Sequence, residues 1–259
     1  MYILVTNDDG VQAPGLLALK QALSSLVEVQ VIAPDRNWSA AGHTKTMDRP
    51  LRIRATKLQD GSPAFACDGA PSDCVAVALL GYLPEKPALI VTGINPTSNV
   101  GADLTYSGTV TAAMEGALAN VPAIAMSLDV GEGAEEYAVA ADFARRLAEK
   151  VLSDGLLPET LLNVNVPNLP ADQIRGVRIT KSGKRIYRDE LVERVDPRGH
   201  KYYWIGGTRP IGETEREGTD IWALAQHYIS ITPIHMDMTS HAMVEQLEDW
   251  ASALEEKRY

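Results

Sequence analysis

Two adjacent carboxylates, Asp8 and Asp9, end an apolar run that begins at Tyr2 and closes on a glycine (Tyr2-Ile3-Leu4-Val5-Thr6-Asn7-Asp8-Asp9-Gly10). Neighbouring carboxylates repel, and a hard divalent cation, Mg²⁺ or Mn²⁺, is the counter-charge that oxygen ligands suit. The plainer reading is a capping Asp in a solvated turn, which Asp-Gly favours in any protein. Two later loops carry further donors: Asn37, Ser39 and His43 in one, Asn95, Asn99 and Ser107 in the other. Neutral Ser and Asn oxygens added to two carboxylates make an oxygen-only set, suited to Mg²⁺ or Mn²⁺ with positions left for water and substrate.

The run Ser107-Gly108-Thr109-Val110 leads into a segment of helix-forming small residues. Small residues at a helix start leave outward N–H groups, and with the macrodipole these form an anion site. Capping by Ser107 and Thr109 would account for the same residues. A cation site and an anion cradle in one cleft point to phosphate-ester chemistry, in which a metal polarises phosphoryl oxygens and activates water. Asp8 is open as ligand, general base or nucleophile. His43 is either a leaving-group acid or a hydrogen-bonded loop histidine. Trp38 is either a lid or a packing residue.

The elements that must position these groups follow from hydrophobic periodicity. Residues 2–7, 28–33, 88–92, 122–127 and 161–166 read as buried strands, and residues 14–26, 71–83, 108–120 and 134–152 as helices between them. Residues 51–56 alternate in the manner of an edge strand, with residues 64–67 as a hairpin partner across Asp60-Gly61. Regular βα alternation predicts a right-handed, doubly wound, mostly parallel sheet. Each donor loop follows a strand, so all three should open at the carboxyl edge of that sheet. Near residue 170 the pattern changes: strands at 177–180, 185–193, 201–205 and 228–232, a Gly-rich charged loop at 206–218, and a last helix at 239–255. This predicts a single domain over residues 1–259, with a core to about residue 170 and an extension from 171. A hairpin bearing Tyr202, Tyr203 and Trp204 would expose apolar surface on a monomer, so it is expected to pack on another subunit.

The 259 residues are 45% hydrophobic with a net charge of −10, which fits a globular domain and argues against a protein that coats a nucleic-acid polymer. Cys67 and Cys74 match no zinc spacing and read as two buried thiols. The start runs straight into a core strand without a basic, cleavable leader, and no apolar run nears about 18 residues, so a cytoplasmic protein without a membrane span is expected.

Taken together, Val5-Thr6-Asn7-Asp8-Asp9-Gly10, Ala33-Pro34-Asp35-Arg36 with Ser39-Ala40 and Gly42-His43, Pro71-Ser72-Asp73-Cys74-Val75, Gly93-Ile94-Asn95, Ser107-Gly108-Thr109-Val110 and Tyr228-Ile229-Ser230-Ile231-Thr232-Pro233 resemble the stationary-phase survival protein SurE family. The six motifs occur in order over nearly the whole chain. The resemblance implies a Rossmann-like core and a metal-dependent acid phosphatase, a hydrolase of the 5′-nucleotidase type. Its substrates would be nucleoside 5′- and 3′-monophosphates, and in some members short polyphosphate. It implies that Asp8, Asp9, Ser39 and Asn95 hold one divalent cation per subunit, with Asp8 and Asp9 catalytic, and that Asn99, Ser107, Gly108 and Thr109 line the phosphate site. Asn37 and His43 are candidates to support that set from behind. It further implies a homodimer that exchanges its C-terminal hairpin and helix, often paired into tetramers.

Two departures stand out. The family pattern Gly-x-Asn-x-Gly-x-Asn here reads Gly93-Ile94-Asn95-Pro96-Thr97-Ser98-Asn99, so Thr97 replaces a glycine that would permit positive φ or close approach to phosphate. Ser72 stands where alanine is usual. The Thr97 change keeps a non-catalytic nucleotide sensor as the rival reading. A signalling receiver domain shares paired acids after its first strand, but the chain lacks the phospho-accepting Asp and the Lys that such a domain needs after later strands.

Overall fold

The computed structural model describes residues 1–131 and 133–255, and the side chains of these except 186–189, 207–211 and 252. In chain order the elements are β1 (Tyr2–Thr6), α1 (Pro14–Leu23), β2 (Glu28–Pro34), β3 (Ile53–Lys57), β4 (Pro63–Cys67), α2 (Pro71–Val77), β5 (Leu89–Asn95), α3 (Gly108–Leu118) and β6 (Ala123–Asp129). There follow α4 (Ala138–Asp154), β7 (Thr160–Pro167), β8 (Gly176–Ile179), β9 (Arg185–Val195), β10 (Lys201–Gly212), α5 (Asp220–Ala225), β11 (Tyr228–His235) and α6 (His241–Glu255).

Nine strands form one sheet in the order β3-β4-β2-β1-β5-β6-β7-β11-β8, and β9 pairs with β10 in a separate antiparallel hairpin. From β4 to β7 every neighbouring pair is parallel. Period-two alternation divides the apolar residues of β1 between two layers. Ile3 and Val5 join α1 and α4 in one core cluster, while Tyr2 and Leu4 join α2 and α3 in the other. Helix α3 lies close because its residues are small: a Cβ on Gly116 would come 2.8 Å from Ile90 Cδ1. Helix α1 does the same at Gly15, where a Cβ would come 2.1 Å from the Ile94 carbonyl oxygen.

The feature that places the site is the strand order. From β1 the chain moves outward through β2 to β4, then returns to lay β5 on the other side of β1 and continues through β6 to β7. A doubly wound sheet opens its ligand crevice where this direction reverses, beyond the carboxyl ends of the two central strands. Here those ends are Thr6 of β1 and Asn95 of β5.

Several elements differ from the sequence reading. Asn95 is the last residue of β5 rather than part of the loop behind it, because β5 keeps pairing with β6 to Asn95↔Ser127. Residues 206–212 continue β10 instead of forming a loop, since β9 supplies an antiparallel partner along that stretch. Helix α1 stops at Leu23, three residues early, where the Ser24 hydroxyl donates to the Lys20 carbonyl. Helix α4 starts at Ala138 rather than at residue 134, and α5 had no periodic signal. Strands β8 and β11, from the tail, are built into the main sheet as its last two members.

Candidate active site

The turn after β1 is shaped by Asn7, which sequence reasoning passed over. Its buried amide donates to the Gly10 carbonyl at 3.0 Å and accepts from the Gly10 N–H at 3.2 Å. Gly10 needs its φ of 102°, and a Cβ there would press on the backbone of Arg36 at 3.2 Å. The clamp holds the turn that sets Asp8 and Asp9 at the carboxyl end of the strand, on the cavity wall.

Asp8 is 3% exposed and leans on the start of α3. The Thr109 hydroxyl donates to Asp8 Oδ1 at 2.5 Å, and the Thr109 amide adds a second donor. Gly108 lets the helix come this near: a Cβ would lie 2.7 Å from Asp8 Cβ and 3.1 Å from Oδ2. Ser107 caps the helix, its Oγ accepting from the Val110 N–H at 3.2 Å. Burial pushes the Asp8 carboxyl up, and the Thr109 bonds offset only part of this. Half-buried Asp9 is pushed up to about 7 by burial first, then by the charges of Asp8 and Glu135.

The three loops meet around a cavity of about 480 Å³. Asp8 and Asp9 line it from the first, Asn37 and Ser39 from the second, and Asn95, Asn99 and Ser107 from the third. Asn37 Oδ1 accepts from the Ser39 N–H at 2.7 Å, so the two residues hold one turn. Asn95 donates through Nδ2 to the Thr97 carbonyl at 2.6 Å, which leaves Oδ1 as the oxygen end of its amide. Thr97 does not take a positive φ, so this loop closes without the family's usual glycine. Gly108 and Thr109 sit just behind the wall, against Asp8.

Asn99 is held from below. Its N–H donates to Asn165 Oδ1 at 2.8 Å, its carbonyl accepts from Asn163 and Asn165 at 2.8 and 2.9 Å, and its Nδ2 donates to Ser127 Oγ at 2.8 Å. Both asparagines of β7 are fully buried, and neither was singled out from the sequence. The sequence signal was a pair of polar residues two apart inside a buried strand.

His43 is not brought to the cavity wall. Its Nε2 meets Glu115 Oε1 at 2.7 Å on the side of α3, where Lys45 also reaches Glu115. Trp38 is tied by its backbone N–H to the Asp8 backbone carbonyl at 2.7 Å, with the Arg36 guanidinium 4.8 Å over its ring.

The donor chemistry fits a hard cation. The wall holds Asp8 and Asp9, both with elevated pKa, a third carboxylate in Asp103 that is ion-paired with Arg185, serine hydroxyls and amide oxygens, and among the described residues it carries no Lys, Arg or His. Among the described residues no group of three or more His, Cys, Asp or Glu side chains is arranged to hold a metal, so neutral oxygens would have to complete any such site.

Known proteins match most of the chain. The family model described as Survival protein SurE matches residues 3–189. A protein of Chloroflexus aggregans named 5′-nucleotidase SurE is 53% identical over 96% of this chain and 99% of its own length. One of Herpetosiphon aurantiacus with the same name is 51% identical over 95% of this chain and 97% of its own. The crystal structure of a SurE protein from Aquifex aeolicus matches with a TM-score of 0.82 at 38% identity, covering 97% of this chain and 100% of that one.

Proposed function

The chain belongs to the Survival protein SurE family, and from that premise we propose that it is a 5′-nucleotidase which binds one divalent cation, Mg²⁺ or Mn²⁺, and hydrolyses nucleoside 5′- and 3′-monophosphates and short polyphosphate. The observation that carries this reading is the convergence of Asp8, Asp9, Ser39 and Asn95 on one cavity that also meets the N-terminus of α3. Relatives at about half identity carry the name 5′-nucleotidase.

In this reading Asp8, Asp9, Ser39 and Asn95 hold the cation, which when bound polarises a phosphoryl oxygen and lowers the pKa of water. Ser107 and the first turn of α3 receive the phosphate, with Asn99 set beside it by the β7 asparagines. Hydrolysis puts a hydroxyl on phosphorus, breaks the ester P–O bond and returns a proton to the sugar oxygen. Asp8 is the carboxylate we assign to that proton traffic, because Thr109 fixes its orientation toward the helix N-terminus. Asp9 is the more open partner. His43, engaged with Glu115, has no part in it.

The assembly belongs to the same proposal: a homodimer, paired further into a tetramer, that exchanges its hairpin and α6. The support is exposed apolar surface on both, with Trp204 at 65% and Trp250 at 62%. Cytoplasmic placement is supported by Cys67 and Cys74, both buried and free. No helix among the described residues is long and apolar enough to cross a membrane.

Phosphate release measured over a panel of nucleotides and polyphosphate, crossed with several divalent metals, tests the reading. Metal-dependent release from nucleoside monophosphates is expected. Tight nucleotide binding without turnover under every metal would favour the sensor instead.

A further inference from the structure

The cavity wall carries one carboxylate more than the proposed cation answers. Asp8 and Asp9 stand on it after β1, and Asp103 joins them from the single turn Gly101–Thr105 that precedes α3. A phosphate ester arrives as an anion, so each unbalanced carboxylate on that wall repels it. In the reading above, one divalent cation balances Asp8 and Asp9. Asp103 is balanced from the tail: Arg185, the first residue of β9, is ion-paired with it.

The fold holds both partners in place. Their side chains are 12% and 22% exposed, so salt and water screen the pair weakly. Asp220 accepts from the Gly101 N–H at 2.9 Å and from the Gly183 N–H at 2.7 Å, which joins the turn to the root of β9. Gly101 meets that root at a φ of 57°, where a Cβ would lie 2.7 Å from the Gly183 carbonyl oxygen. On the other side, the Asp103 carbonyl accepts from the N–H groups of Tyr106 and Ser107 at 3.0 and 3.1 Å. Ser107 caps α3, so the backbone of Asp103 is fixed directly ahead of the helix start assigned to the phosphate.

We propose that Arg185 is a positioning residue for substrate binding: through Asp103 it cancels the third carboxylate of the wall and lets an anionic phosphate ester approach Ser107 and α3. Arg185 lines a neighbouring cavity rather than this one, so it acts through Asp103 and not on the phosphate. The inference rests on the phosphomonoesterase reading of the cleft. It adds that the tail supplies part of the charge balance on which substrate affinity depends.

The test is steady-state hydrolysis of p-nitrophenyl phosphate by the full chain with Mn²⁺, at low and at high salt. Arg185→Met is expected to raise KM about tenfold with kcat changed less than about threefold, and the rise should shrink in high salt. Asp103→Asn should leave KM level or lower it. The double variant Arg185→Met/Asp103→Asn should return KM to within about threefold of the unsubstituted chain. A pair that only braces the turn gives another pattern: both single variants raise KM alike, salt changes nothing and the double variant recovers nothing. That pattern overturns the proposal, as does an unchanged KM in Arg185→Met. If Arg185→Met does not fold, Asp103→Asn decides alone, a level or lower KM supporting the proposal and a raised one overturning it. If the unsubstituted chain hydrolyses no ester, the phosphomonoesterase reading fails separately. Calorimetric titration with inorganic phosphate in the presence of Mn²⁺ then decides: affinity lost in Arg185→Met and regained in the double variant supports the proposal, and no binding, or an equal loss in all three variants, overturns it.

Discussion

The molecule buries carboxylates in two kinds of place. Asp220 is fully buried at the base of the tail, yet it accepts from the N–H groups of Gly101, Gly183 and Ile221 at 2.9, 2.7 and 2.8 Å. Asp8 is nearly as buried, but among the described residues its inter-residue donors come from Thr109 alone, and its neighbour is another carboxylate facing a cavity. Burial raises both carboxyls, so the shift itself does not separate them. What separates them is who answers the charge. Asp220 is answered by the peptide groups of its own fold and ties the third donor loop to the tail. Among the described residues Asp8 and Asp9 are answered by little that the fold supplies, as the proposed cation site requires.

The comparison breaks most visibly on substitution. Asp8→Asn should lower phosphate release by about a thousandfold or more while the melting temperature stays level or rises, because a poorly compensated buried charge is gone. Steady-state assays with thermal denaturation check this, and a variant that unfolds would make Asp8 another Asp220. Asp220→Ala should do the reverse. Two buried N–H groups and one part-buried one lose their acceptor, and urea titration should show a loss of about 3 kcal/mol.

The pH dependence sharpens the contrast. Asp9 has its carboxyl at an ordinary value near 3.8 when the chain is unfolded and at about 7 when it is folded. Between these values the metal-free folded chain keeps a proton that the unfolded chain has released. Its stability should therefore fall as pH rises through that window. Asp9→Asn should flatten the fall, as read from denaturation midpoints at a series of pH values.

The smallest effect belongs to His43. Its contact with Glu115 is a single hydrogen bond at the protein surface, so His43→Ala should cost about 1 kcal/mol and change turnover less than about threefold. A loss comparable to that in Asp8→Asn would return His43 to the chemistry.

Much of the setting of the candidate site is legible in the sequence. The β-branched run of β1, the Asp8-Asp9 pair at its end and the small residues of α3 are local signals, and regular βα alternation brings loops to one edge. The supports were not legible. Asn7, Asn163 and Asn165 act through hydrogen bonds to partners fixed only by chain reversal or by strand pairing. Nothing in the spacing of β7 says that its two asparagines will carry Asn99, some 64 and 66 residues earlier. The tail was least legible. Helix α5 is six residues long, too short for a period, and β10 runs through glycines that read as loop until β9 is placed beside it. His43 illustrates the converse: its residue type drew attention, but Glu115 claims it.

The central claim is that Asp8 and Asp9, with Ser39 and Asn95, hold a divalent cation. The direct test is Mn²⁺ titration followed by electron paramagnetic resonance of the free ion, on the wild-type chain and on the Asp8→Ala/Asp9→Ala double variant. One tightly bound ion per chain, lost in the double variant and weakened by Ser39→Ala or Asn95→Ala, is the predicted result. No bound ion in the wild type, or the same binding in the double variant, would contradict it.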